Sequence, residues 1–201
     1  HIPDITKTVS YIEKGVELNQ PRLLHRAIRQ NAVVRRFVTA PLLRAAVNKY
    51  LPSNSSRDTL LTAINSIPQS MDEVEVEIRH AAFTDIPSAI PEVEVFLFTL
   101  VVTTLLRHQQ YTTAAQYSSA LITFIQTLNR RTLDIFASKA YFYYSLSYEH
   151  VSSLDTIRPT LLTLYRTCCL HHDEMGQAVL INLLLRNYLH YNLIEQAHSL
   201  V

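Results

Sequence analysis

Glycine occurs only twice in the 201 residues, at Gly15 and Gly176. β-Hairpin turns and phosphate-cradling loops use glycine where the backbone takes positive φ or must approach a ligand closely. A chain this poor in glycine has few ways to build either. Leucine, alanine and arginine, all good helix formers, are abundant instead. The sequence therefore reads as all-α. Its 48% hydrophobic and 17% charged residues set it apart from a disordered tail and allow a sizeable core.

The apolar spacing goes further. Leu180, Leu183, Leu184 and Tyr188 fall at helical intervals, and Leu193, Ala197 and Val201 resume them after a minimal break. The same arrangement occurs earlier, where Leu105-Leu106-Arg107-His108 precedes Tyr111 and Ala115. Tyr111 and Leu193 are 82 residues apart, as are Ala115 and Ala197, an interval of two helix-pair periods of 41. Leu154 opens a pair 43 residues after Tyr111 and 39 before Leu193. This spacing predicts an α-solenoid of stacked antiparallel helix pairs, tetratricopeptide-like, with a right-handed superhelix. The helix reaching Val201 has neither a glycine cap nor a following proline, so the array is expected to continue beyond it.

Three segments are expected. Residues 1–67 form an amino-terminal helical region, 68–90 an acidic linker flanked by proline, and 91–201 the repeat region. In the first, Val9, Ile12 and Val16 mark an amphipathic segment. A helix then runs from Pro21 to Gln30, and a second stretch from Ala32 to Tyr50, in which Pro41 opens its own helix after Thr39. Residues 52–56 are a loop, and Arg57–Ile67 a shorter helix with Ser56 as N-cap. Glu73 to Ile78 alternates like a strand, but it has no strand-like partner. In the repeat region, helices are expected over Glu92–Arg107, Thr112–Leu128, Arg131–His150, Leu154–Leu170, Gln177–Tyr191 and Leu193 onward.

The net charge is only +1, but its distribution is uneven. From Arg22 to Lys49 there are seven basic residues and no acid, whereas Asp72 to Glu94 holds seven acids against Arg79 alone. Such a run ordinarily marks a solvated helix face. The sharper alternative is a docking surface for an acidic partner, with Arg22, Arg26, Arg29, Arg35 and Arg36 as its candidates. Cys168 and Cys169 are adjacent, which excludes a disulfide framework and favours a reducing compartment. Together with His171, His172 and Asp173 they form the one cluster with metal-ligand chemistry. Neighbouring helical residues diverge by about 100°, so they do not converge on an ion. No metal, cofactor or catalytic site is expected, since nucleophile-elbow, Walker and HExxH spacings are all missing. Tyr141, Tyr144 and Tyr148 share a helix face, as packing requires. The apolar run Val95–Leu106 is too short to cross a membrane and reads as a buried helix.

Leu183-Leu184-Leu185-Arg186-Asn187-Tyr188-Leu189-His190-Tyr191, followed by Gln196-Ala197, closely resembles the non-ATPase regulatory subunit 3 family of the 26S proteasome. Further matching stretches run in the same order: Pro91-Glu92-Val93-Glu94, Asn129-Arg130-Arg131 with Leu133-Asp134, Lys139 to Tyr143, and His172-Asp173 with Gly176-Gln177-Ala178. Before Pro91 the likeness is looser. The resemblance implies a non-catalytic, PCI-domain subunit of the lid, in cytoplasm and nucleus, serving ubiquitin-dependent degradation. In that family helical repeats lead into a PCI winged helix, and this chain has no recognisable winged-helix portion. The implied partners are other PCI lid subunits and a small acidic disordered subunit, with no membrane or nucleic acid. The competing expectation is a PCI scaffold of another complex, either the signalosome or an mRNA-export assembly. The export case alone brings nucleic-acid contact, which would be steeply salt-dependent.

Overall fold

The computed structural model describes residues 2–52, 54–67, 90–128 and 130–200. The expected acidic linker, with its Glu73–Ile78 alternation, lies outside these residues except for its last position, Ile90. The described residues form ten α-helices and no strand: α1 Ile2–Glu17, α2 Pro21–Phe37, α3 Ala40–Tyr50, α4 Ser55–Asn65, α5 Pro91–Arg107, α6 Tyr111–Thr127, α7 Asp134–His150, α8 Leu154–His171, α9 Glu174–His190 and α10 Ile194–Leu200. The all-α solenoid expected from the sequence is what forms. Helices α5–α6, α7–α8 and α9–α10 are successive pairs. The leading helices α5, α7 and α9 pack on one another in turn, while α6 packs on α7 and α8 on α9.

The expected buried helix is α5. Pro91 fits its first turn, where no N–H is required, and Glu92, Glu94 and Arg107 suit the helix dipole. Between them the helix is apolar all round, as a central helix must be. Its threonine hydroxyls donate to carbonyls one turn back, at 2.8 Å for Thr99 and Thr104 and 2.7 Å for Thr103. Their burial therefore leaves no donor unsatisfied. Helices α1–α4 surround α5 on its remaining sides, and α2 also reaches α7. One apolar core runs through both groups, from Ile5 to Ala197.

Five helices end in one recurring way. Asn19, Gln109, Ser152, His172 and Asn192 all adopt left-handed φ of 49° to 60° just past a helix end. In each case the next N–H reaches back five residues: Gln20 to Gly15, Gln110 to Leu105, Ser153 to Tyr148, Asp173 to Cys168 and Leu193 to Tyr188, all at 2.9 to 3.0 Å. These are Schellman caps, a geometry glycine usually supplies. Neither glycine has positive φ. Both permit close approach instead. A Cβ on Gly15 would lie 2.7 Å from Leu24 Cδ2, and one on Gly176 would lie 2.1 Å from Asp173 Oδ2 and 2.7 Å from Cys168 Sγ.

Three expected boundaries are corrected. No break separates Gln30 from Ala32, because α2 runs unbroken to Phe37 with Asn31 buried beside Ala27 and Val34. The chain leaves the helix at Val38 and restarts after Thr39, with Pro41 in the first turn of α3. Asn54, not Ser56, stands at the N-cap position of α4. Helix α9 starts at Glu174, before the expected Gln177, because Asp173 Oδ1 accepts the Gly176 N–H at 3.0 Å and caps it.

Candidate interaction surface

The five sequence-selected arginines all lie on α2 and all are exposed, but they do not form one group. At about 100° per residue, Arg22, Arg26, Arg29 and Arg36 fall within one sector of the helix, and Arg35 falls nearly opposite. Arg35 Nη1 donates to the Tyr143 hydroxyl of α7 at 2.6 Å, so this arginine joins α2 to the array. The Arg26 guanidinium lies over the Tyr11 ring of α1, 4.8 Å from its centroid. Among the described residues, Arg22, Arg29 and Arg36 have no ion-pair or hydrogen-bond partner. Heptad spacing aligns these three along the helix.

Two apolar side chains share that sector. Val33 is 53% exposed and Phe37 51% exposed. The face thus mixes positive charge with partly exposed apolar surface, and α2 contains no acidic residue. Sequence reasoning did not select Val33 or Phe37. A wheel drawn over the whole helix would have found them, but the expected break at Asn31 hid that wheel. Lys49 lies over the Tyr50 ring at 4.8 Å and Arg44 Nη2 donates to Asn65 Oδ1 at 3.0 Å, so both are engaged within α3 and α4.

The arginine that fixes this face in place lies 69 to 72 residues away in sequence from the groups it holds. Arg107, ending α5, donates from Nη1 to the carbonyls of Arg35 and Arg36 at 3.1 Å each, and from Nη2 to that of Val38. These are the carbonyls that a helix C-terminus leaves without intrahelical partners, and a cation also suits that end of the dipole.

The family-like stretch Leu183 to Tyr191 carries inter-helix ties. Arg186 pairs with Glu149 of α7 at 2.7 Å. Asn187, fully buried, donates from Nδ2 to the Leu154 carbonyl at 2.5 Å and accepts at Oδ1 from Arg158 Nε at 2.9 Å. Arg158 also lies over the rings of Tyr188 and Tyr191, at 5.5 and 5.3 Å. At the other junction, the buried Glu92 accepts from Thr132 and pairs with Arg130 at 3.2 Å. Both family-like stretches therefore hold one repeat to the next.

Cys168 is buried and Cys169 half-buried, the divergence expected of helical neighbours. Burial first, then the Asp173 carboxylate, pushes the Cys168 thiol up to about 12, so it is an unreactive packing residue. Among the described residues, no three histidine, cysteine or acidic side chains are arranged to hold a metal, and no helix is long and apolar enough to cross a membrane. Tyr141 and Tyr144 are core residues, and burial raises both phenols. The Tyr148 hydroxyl lies 2.7 Å from Ser119 Oγ.

This arrangement has relatives. The chain is 40% identical over 203 residues to a probable 26S proteasome non-ATPase regulatory subunit 3 of Nicotiana tabacum, covering all of this chain and 40% of that protein. It is 38% identical over 202 residues to homolog B of the same subunit in Arabidopsis thaliana, covering 99% of this chain and 41% of that one. It is 32% identical over 200 residues to the probable regulatory subunit rpn3 of Schizosaccharomyces pombe, again covering 40% of the relative. The chain thus spans about two fifths of the length of these relatives. The family described as "PSMD3-like, N-terminal TPR repeats" matches residues 1–201, and the chain belongs to that family.

Proposed function

We propose that this chain is the helical-repeat region of a non-catalytic scaffold subunit in the lid of the proteasome regulatory particle, serving ubiquitin-dependent protein degradation in cytoplasm and nucleus. The single observation that carries the reading is the family match over every residue of a fold whose junctions are built from the family-like stretches. A scaffold of this kind works by rigidity. Ties such as Asn187–Leu154, Arg186–Glu149 and Glu92–Arg130 fix each helix pair on the next, so an extended surface keeps its shape while neighbours dock. The neighbours are other PCI subunits of the lid. The basic face of α2, with Arg22, Arg26, Arg29 and Arg36, is offered to the small acidic disordered subunit, which such a face would steer and orient.

The test is recovery of the full-length protein from cells with an affinity tag, and identification of what accompanies it. Lid subunits in stoichiometric amount are expected. Recovery without any proteasome subunit would overturn the proposal. A second arm replaces Arg22, Arg29 and Arg36 together by glutamate: the acidic subunit should be lost while the PCI neighbours remain. Full retention of the acidic subunit would remove the α2 assignment and leave the scaffold reading intact.

A further inference from the structure

The basic face of α2 has an acidic counterpart in the same chain. Asp72 to Ile78 reads Asp-Glu-Val-Glu-Val-Glu-Ile, with four acids and no base, while α2 has arginines and no acid. Arg22, Arg29 and Arg36 are exposed and have no ion-pair or hydrogen-bond partner among the described residues. Val33, in the same sector between Arg29 and Arg36, is 53% exposed. The acidic segment lies outside the described residues, but both of its flanks are fixed.

Those flanks bring it to α2. The Ser66 carbonyl accepts from Gln110 Nε2 at 2.5 Å, just past the end of α5. Three residues before Gln110, Arg107 holds the carbonyls of Arg35 and Arg36. The chain therefore leaves α4 on the side of the molecule where α2 ends. Counted from Ile67, Asp72 can lie up to about 17 Å away and Glu77 up to about 33 Å. Arg36 and Arg22 are about 21 Å apart along their helix, so the acids can reach the basic face. The chain re-enters at Ile90, before the first turn of α5. From Ile78 to Ile90 it can span about 40 Å, against an α5 length of about 25 Å, which leaves slack for the return.

We infer that Asp72–Ile78 of the same chain docks along the exposed face of α2, its acids paired with Arg22, Arg29 and Arg36. Charge complementarity and the position of the flanks both select this occupant. The sequence pattern suits the face as well. An extended backbone sets Glu73, Glu75 and Glu77 on one side and Val74, Val76 and Ile78 on the other. Laid edge-on beside Val33, it turns apolar side chains to that residue while the long arginine side chains reach the acids. Each exposed pair contributes little, but tethering holds the segment at roughly millimolar effective concentration, so modest attraction suffices. The docking itself is independent of the assembly the chain serves. Its regulatory consequence rests on the function proposed above: an acidic subunit binding α2 would do so in competition with the chain's own segment.

The test reads the contact in the 201-residue chain alone. In a Cys169→Ser background, His80→Cys carries a nitroxide two residues past Ile78, and its relaxation enhancement is measured at the backbone amides of every helix. The enhancement should be largest along Arg22 to Arg36. Glu73→Gln, Glu75→Gln and Glu77→Gln together should lower it there about threefold or more, as should about 0.5 M salt. Lysine at those three positions should lower it too, and glutamate at Arg22, Arg29 and Arg36 should then restore it. An enhancement centred on α3 and α4, or one on α2 that the glutamine variant leaves unchanged, would overturn the inference. So would an enhancement on α2 that disappears on diluting the labelled chain with unlabelled chain, since the occupant would then be a second copy. No proteasome subunit enters these measurements, so failure to recover such subunits from cells would leave their outcome untouched.

Discussion

Helices α5–α10 and helices α1–α4 share one apolar core, yet they are joined by different means. The array repeats its joints. Leading helices of one length, left-handed caps at Gln109, Ser152, His172 and Asn192, and a polar tie at each junction recur pair after pair. The front group is joined by bonds made once. Arg107 caps α2, Arg35 reaches Tyr143, the Tyr50 hydroxyl donates to Thr6 Oγ1 at 3.1 Å, and Gln110 Nε2 donates to the Ser66 carbonyl at 2.5 Å. Repeated joints can propagate a surface indefinitely, while joints made once fix a particular body on its end. Helices α1–α4 therefore act as a cap, and the basic face of α2 belongs to that cap.

If the two regions are nevertheless one folding unit, α5 is where they are fused. Leu97, fully buried midway along α5, is the place to break them together. Leu97→Ala should cost about 3 kcal/mol, with one urea transition followed identically by probes in α2 and α9. Two separated transitions would show that cap and array unfold independently. The two glycines sharpen the contrast at smaller cost. Gly176→Ala drives a Cβ into the Asp173 carboxylate, which already caps α9, and should cost about 2 kcal/mol despite alanine's better helix propensity. Gly15→Ala meets the Leu24 side chain at Cδ2 and Cγ and, at 3.3 Å, Leu23 Cβ; the Leu24 end is the closest of these and is flexible, so the cost should be smaller, about 1 kcal/mol. Equal costs would mean that the α8–α9 joint is no stiffer than the α1–α2 joint.

The same contrast decides what the sequence reveals. Array helices are visible because their stripes recur at 3.6 residues and their breaks recur near 40, so each pair supports the reading of the others. The cap offers no such support. Asn31 looks like a break beside Gln30, and only burial against neighbouring helices keeps it helical. The α2 arginines stand out in the sequence as an acid-free run, but that run does not say that Arg35 turns away to Tyr143 while Val33 and Phe37 turn outward. Arg107 is invisible as an anchor because its partners are carbonyls some 70 residues distant. The family-like stretch from Leu183 to Tyr191 is conspicuous in the sequence, but its role is not. Its polar side chains Arg186 and Asn187 are ties, and a tie cannot be recognised until both ends are placed.

One array joint should depend on pH. Burial first, then the Asp173 carboxylate, raises Asp134 to about 6, against the lowering effects of Arg131 and His171. The native state thus holds this proton more tightly than the unfolded chain does. Its contribution is complete below about pH 4 and is lost as pH rises through 6. Because Asp134 is partly exposed, solvent screening limits the effect to about 1 kcal/mol. Asp134→Asn should raise the midpoint of unfolding at pH 7 and leave it unchanged near pH 4. A gain of the same size at both pH values would place its origin outside this titration, and the joint would then be no different from those of the cap.

The smallest effect tests the array's signature directly. Ser152 sits at φ 59° in the turn between α7 and α8, where its Cβ opposes the left-handed conformation. Glycine carries no such penalty, although it gives the unfolded chain more freedom, so the two effects partly cancel. Ser152→Gly should stabilise by about 0.5 kcal/mol, read as a small rise in the urea midpoint with unchanged slope. Asn19→Gly, in the turn of the cap, should gain less, because asparagine already tolerates this conformation better than serine. If Ser152→Gly destabilised the fold, a bond from that side chain would be implied, and the shared geometry of the turns would no longer rest on the backbone alone. A gain at Ser152 that exceeds the gain at Asn19 would instead show that the array keeps its repeated turn at an energetic cost.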